Sequence, residues 1–113
     1  MEILSDLSRF IGYKNISCTQ AERMIKTNNN ILILDVRSPE EFMRGHIPNA
    51  INIPVDDMKY NMSTLNYYRQ SEIIVYCASG IRSKSVSDFL VKNRFSKVYN
   101  LNGGISYYKG KLV

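Results

Sequence analysis

Residues 74–83 read IVYCASGIRS: an apolar run ends in one of the chain's two cysteines, and small residues, a glycine and an arginine follow. A cysteine placed there either closes a buried strand as a small hydrophobe or serves as a nucleophile in a cradle of backbone N–H groups. Four residues separate Cys77 from Arg82, and a helical pattern begins at once. The N–H groups of the loop and of the first helical turn can therefore converge on one anion. In the loop Ala78–Ser79–Gly80–Ile81–Arg82–Ser83, Gly80 allows the turn, and Ala78 and Ser79 are too small to fill the cradle. Such a field favours thiolate over thiol and lowers the cysteine pKa below its ordinary ~8.5. The lone histidine, His46, lies on a different segment, and a thiolate nucleophile needs no histidine base.

Short apolar runs alternate with helical signals along the rest of the chain. ILILD (31–35) and EIIVY (72–76) are continuous apolar runs of strand length, the pattern of strands buried on both faces. AINIP (50–54) and KVYNL (97–101) are further strand candidates. Ser17 with Gln20, and Ser38 with Pro39 and Glu41, mark two helix starts, with Gly45 placed to end the second helix. Val55 to Arg69 reads as helical or irregular cover, and Arg82 to Asn93 carries Val86, Phe89 and Leu90 at helical spacing. The alternation predicts an α/β fold with a parallel sheet covered on both faces. Parallel strands present their carboxyl ends on one edge, where open α/β sheets bind ligands. Asp35, Arg37 and Cys77 all fall at that edge.

With 113 residues the chain forms one domain, 1–113, preceded within it by an amphipathic helical extension over 1–14. No run approaches a membrane span, and no leader pattern is present, so the expected location is cytoplasmic with Cys18 and Cys77 as free thiols. The net charge of +5 is uneven: residues 1–60 hold 7 Lys/Arg against 8 Asp/Glu, and residues 61–113 hold 8 against 2. No basic run interleaves with aromatics as a nucleic-acid surface would, whereas a field that gathers a small anion needs fewer assumptions. Two cysteines and one histidine, scattered, point to no metal site, and nothing calls for a cofactor.

Three segments, LILDVRSPEEFMRGHIPNAINIP (32–54), CASGIRS (77–83) and LNGGISYY (101–108), resemble the rhodanese domain in content and order. The resemblance implies a three-layer α/β fold with a central parallel sheet of about five strands, and sulfurtransferase chemistry with Cys77 as nucleophile. It implies a small anionic sulfur donor such as thiosulfate, a persulfide on Cys77, and a thiol or cyanide acceptor. A protein that donates or accepts the sulfur is the alternative partner. Related phosphatases and arsenate reductases carry one more residue between cysteine and arginine, so the loop length here disfavours those activities. Arg82 and Arg37 are the expected anion-binding groups, with a purely structural bracing role as the alternative for each; Asp35 is a structural anchor for both arginines, and His46 an architectural residue of the GHIPNA segment. Cys18 reads as a small apolar residue of the first helix. Where the family motif after LNGG often ends in tryptophan, this chain has Tyr108.

Overall fold

The computed structural model describes residues 12–113. Five strands form one parallel sheet: β1 (Lys14–Ile16), β2 (Leu32–Asp35), β3 (Ile51–Asn52), β4 (Ile73–Tyr76) and β5 (Val98–Leu101), in spatial order β1-β5-β4-β2-β3. Among the described residues four α-helices accompany them: α1 (Cys18–Thr27), α2 (Pro39–Met43), α3 (Met62–Asn66) and α4 (Ile81–Lys92). Two 3-10 segments, Val55–Asn61 and Gly104–Tyr107, complete the cover. The parallel α/β architecture expected from the alternation is the one found. Among the described residues no helix is long and apolar enough to cross a membrane.

Every residue of β2 and β4 is buried, because the sheet has a packed layer on each face. Leu32, Leu34, Ile73, Val75 and Cys77 point to the layer that holds Met58, Leu65, Val86 and Leu90. Ile33, Ile74 and Tyr76 point to the other, with Ala21 and partly buried Met24 and Ile25 of α1. Period-two alternation along each strand thus feeds two separate cores. The capping box of Ser17 with Gln20 is present, and the predicted start at Ser38 and Pro39 proves to be a second one, closed by Glu41.

The helix expected over 1–14 falls mostly on residues outside those described. Its end is corrected: Gly12 and Tyr13 are not helical, and Lys14 opens β1, which pairs with β5 through Asn15↔Asn100 and Ile16↔Leu101. Lys14 and Asn15 are exposed and only Ile16 is buried, so this edge strand has no apolar alternation to announce it.

Neighbouring strands β2 and β4 send their following connections to opposite sides, β2 to β3 and β4 to β5. Between them lies the switch point where open parallel sheets form a crevice. Cys77 follows β4 directly. The chain after β5 folds back over it: the N–H of Ile105 donates to Cys77 O at 2.9 Å, and the N–H and Oγ of Ser106 donate to Ala78 O at 3.2 and 2.8 Å. Gly104 makes this approach feasible, with φ of +66° and a hypothetical Cβ only 2.5 Å from the Ala78 carbonyl. Gly104→Ala should therefore exceed the ~1–2 kcal/mol of a left-handed residue with a side chain, because backbone must also separate from backbone. A fall in Tm of about 8 °C or more is expected, read by thermal melting; a near wild-type Tm would show that the contact carries no strain-sensitive role.

Candidate active site

Cys77 is 1% exposed and sits where β4 ends and the loop turns into α4. Its Sγ accepts from the backbone N–H of Gly80 at 3.1 Å and of Ser83 at 3.4 Å, and lies 3.5 Å from Ser83 Oγ. Gly80 reaches this position with φ of +100°, next to the backbone of Gly103. Burial pushes the Cys77 thiol up; hydrogen bonding to the Ser83 side chain and to the N–H groups of Ser83, Gly80 and Ser79 outweighs it and leaves the thiol below its ordinary value. The loop thus aims neutral N–H dipoles at the sulfur, and these favour its charged form more than an ordinary cysteine's surroundings do.

Ser83 is fully buried and its hydroxyl donates to Asn100 Oδ1 at 2.5 Å. Asn100, also fully buried, lies on β5 in register with Val75, hence on the face that Cys77 shares. Its Nδ2 donates to Asn15 Oδ1 at 2.9 Å. Neither asparagine stands out in the sequence. KVYNL contains a polar residue where β5 meets a core, and that interruption is the one signal that could have marked Asn100.

Arg82 makes a two-pronged pair with Glu41, Nη1–Oε1 at 2.7 Å and Nη2–Oε2 at 2.9 Å. The expectation that Asp35 anchors both arginines is therefore corrected. Asp35 holds Arg37 alone, through Nε and Nη2 at 2.7–3.1 Å, while Arg37 Nη2 also donates to Gly45 O at 2.7 Å. Glu41 on α2 reaches across because its carboxylate already accepts from the Ser38 N–H in the capping box. That second use could not be read from the spacing of SPEEF alone. Glu41's hydrogen bonds and charge raise Arg82 against some burial, and the negative charge of Cys77 adds to them.

Arg37 is 6% exposed, and its guanidinium also lies 5.6 Å from the centre of the Tyr76 ring. Burial opposes its charge, and the hydrogen bonds and charge of Asp35 overcome that. This geometry makes Arg37 a brace between the end of β2 and the Gly45 turn, not a group presented to an incoming anion. His46 stacks on Phe42 with ring centres 3.6 Å apart, and its Nδ1 is 2.9 Å from Phe42 O. Cys18 opens α1, accepts from the Lys109 N–H at 3.0 Å and lies near Glu22. Tyr108 is partly buried against the α1 layer, where burial, then Glu22 and Cys18, push its phenol up. Beside the loop an open cavity of about 450 Å³ is lined by Ser79, Asn102, Gly103, Ser106 and Tyr107.

The chain belongs to the rhodanese-like domain family, whose sequence profile matches residues 17–111. It is 31% identical to the uncharacterized protein YqhL of Bacillus subtilis over 121 residues, covering 99% of this chain and 94% of that one. It is 32% identical over 97 residues to the tRNA uridine(34) hydroxylase of Buchnera aphidicola subsp. Baizongia pistaciae, covering 82% of this chain and 31% of that protein. It thus spans about a third of that hydroxylase's length. Among solved structures, a rhodanese-related protein from Thermoplasma volcanium superposes with a TM-score of 0.80 at 30% identity, covering 89% of this chain and 98% of that one. A rhodanese-like domain protein from Staphylococcus aureus gives 0.79 at 30% identity, covering 88% and 96%.

The Glu41–Arg82 pair yields a prediction with a defined pH window. Its hydrogen bond to Arg82, then the Ser38 N–H, lower the Glu41 carboxyl to about 2, against an ordinary value of ~4.3. A depressed carboxylate adds stability that is complete above the ordinary value and is lost as pH falls through the folded one. Because the Arg82 and Glu41 side chains are 41% and 27% exposed, water screens the pair to about 1 kcal/mol. Glu41→Gln keeps the capping box and removes the charge. Urea denaturation should show the variant less stable by about that amount at pH 7, the gap closing between pH ~4.3 and ~2. A gap that persists at the lower pH would assign the loss to packing instead.

Proposed function

We propose that the chain is a sulfurtransferase in which Cys77 carries the sulfur as a persulfide. The observation that carries this reading is the Cys77 sulfur at the end of β4, held by N–H groups of the following loop and lowered in pKa by them. The thiolate attacks the outer sulfur of a small anionic donor such as thiosulfate. A new S–S bond forms on Cys77, the donor's S–S bond breaks, and its electron pair leaves with sulfite. An acceptor thiolate then attacks the outer sulfur, or cyanide does so to give thiocyanate, and the Cys77 thiolate is released. No oxidant or reductant is consumed, and the covalent enzyme makes the cycle ping-pong.

The donor's sulfonate end needs a cation outside the cradle. Arg82 supplies it: its side chain is 41% exposed and shares a field with the thiolate, while Glu41 fixes its orientation. The acceptor approaches through the polar cavity beside Ser79 and Ser106. Reduced thiols of the cytoplasm serve as acceptors. The hydroxylation named for the longer relatives is not part of this proposal.

A second reading assigns the donor or acceptor role to a protein. Ile81, 75% exposed, and Tyr107, 68% exposed, flank the loop and favour it as an apolar contact. Both readings require the same first half-reaction. Incubation with thiosulfate should add one sulfur, about 32 Da by intact mass, removable by cyanide or dithiothreitol; Cys77→Ser should add nothing while melting like the wild type. Mass gain on a Cys77→Ser variant would overturn the assignment. Loading without steady-state turnover to cyanide would select the protein-partner reading.

A further inference from the structure

The hydrogen bonds behind Cys77 run in one direction in the resting thiol. The Cys77 S–H donates to Ser83 Oγ, the Ser83 hydroxyl to Asn100 Oδ1, and the Asn100 amide to Asn15 Oδ1. A thiolate reverses the demand at the first link, because it can only accept. Ser83 has a single hydroxyl hydrogen and cannot give it to both Asn100 and the sulfur. If it turned to the sulfur alone, Asn100 Oδ1 would face an oxygen lone pair at 2.5 Å in a fully buried site.

The same heavy atoms satisfy the opposite order. An amide turned by half a revolution presents Nδ2 where Oδ1 was. Asn100 then donates to Ser83 Oγ and accepts from an Asn15 that has turned likewise. Asn100 and Asn15 are direct register partners on β5 and β1. Asn15 is exposed, so after its turn water meets whichever group faces out. We propose that Ser83, Asn100 and Asn15 form a reversible hydrogen-bond relay that hands the Ser83 hydroxyl to the Cys77 sulfur when the thiol proton leaves to solvent. The amides turn without exchanging hydrogens, and Asn100 and Asn15 are positioning residues that never touch the donor. The relay rests on Cys77 being the nucleophile and deepens that reading with the reason a polar column crosses an otherwise apolar layer.

The charged groups around the sulfur are Arg82 with Glu41 on α2, and the Asp35–Arg37 pair at the end of β2. The turn over the loop carries the exposed phenol of Tyr107 and, at its end, the phenol of Tyr108, which packs on the α1 layer. None of these belongs to the relay, so changes at Asn15 leave them in place.

Asn15→Asp tests the relay from the surface, without disturbing the core. A carboxylate at 15 only accepts, so it holds Asn100 Nδ2 toward itself and Oδ1 toward Ser83, whose hydroxyl then stays turned from the sulfur. The Cys77 midpoint, read from thiolate ultraviolet absorbance as the difference from the matching Cys77→Ser protein, should rise by about one to two pH units. The rise should survive 1 M NaCl, which weakens the part of a charge effect that passes from exposed position 15 through solvent. Asn15→Ala should keep the wild-type midpoint, since water both donates and accepts at that site. A rise in Asn15→Asp that vanishes in salt, no rise at all, or an equal rise in Asn15→Ala would each overturn the relay. The absorbance reads ionisation, not sulfur transfer, so an inactive protein with the predicted midpoints would discard the transferase reading and leave the relay standing.

Discussion

Aiming several N–H groups at one sulfur turns the carbonyls of the same loop away from it, and those carbonyls must find donors in a buried place. The rest of the structure depends on how they do. Cys77 O and Ala78 O are taken by Ile105 and Ser106, from the segment that follows β5. That segment can approach closely enough only because Gly104 has no side chain. The inward face of the loop aims its N–H groups at the sulfur, and the outward face is satisfied by the segment that follows β5. Neither face can be altered alone.

The cradle works by dipoles more than by net charge. Arg82, which the charge of Cys77 reaches, is already paired with Glu41, so the two together add little net field at the sulfur. Direct hydrogen bonds from Ser83, Gly80 and Ser79 outweigh burial instead. In a site almost closed to water such bonds strengthen. The two-pronged pair with Glu41 keeps Arg82 in a fixed orientation beside the loop. Arg37, paired with Asp35 and buried, serves the end of β2 in the same fixed way one strand over.

The parts legible in the sequence are those whose signal is local. ILILD and EIIVY announce central strands because each residue is buried; the two capping boxes and the Cys77–Arg82 loop are written within four to six positions. What could not be read depends on pairing across the chain. β1 is three residues long with two exposed polar ones, and only its partner β5 makes it a strand. Glu41 has a sufficient local reason to be glutamate, which hides its bond to Arg82 forty-one positions away. Asn100 reads as a blemish in KVYNL until Ser83 and Asn15 are placed on either side of it.

Strand β5 therefore does more for Cys77 and its loop than hold the sheet's place beside β4. Its own residue Asn100 fills the bonding of Ser83 from below, and its continuation at Ile105 and Ser106 fills the bonding of Cys77 and Ala78 from above. β1 in turn covers the outer edge of β5 and brings Asn15 beside Asn100. A strand with so little propensity of its own is held by what it closes: β5's unpaired edge on the backbone side and an amide's last partner on the side-chain side. Tyr108, farther along the same continuation, packs against the α1 layer and makes no bond to the loop. Its ring has room to pack there, whereas at Gly104 the backbone leaves room for no side chain at all.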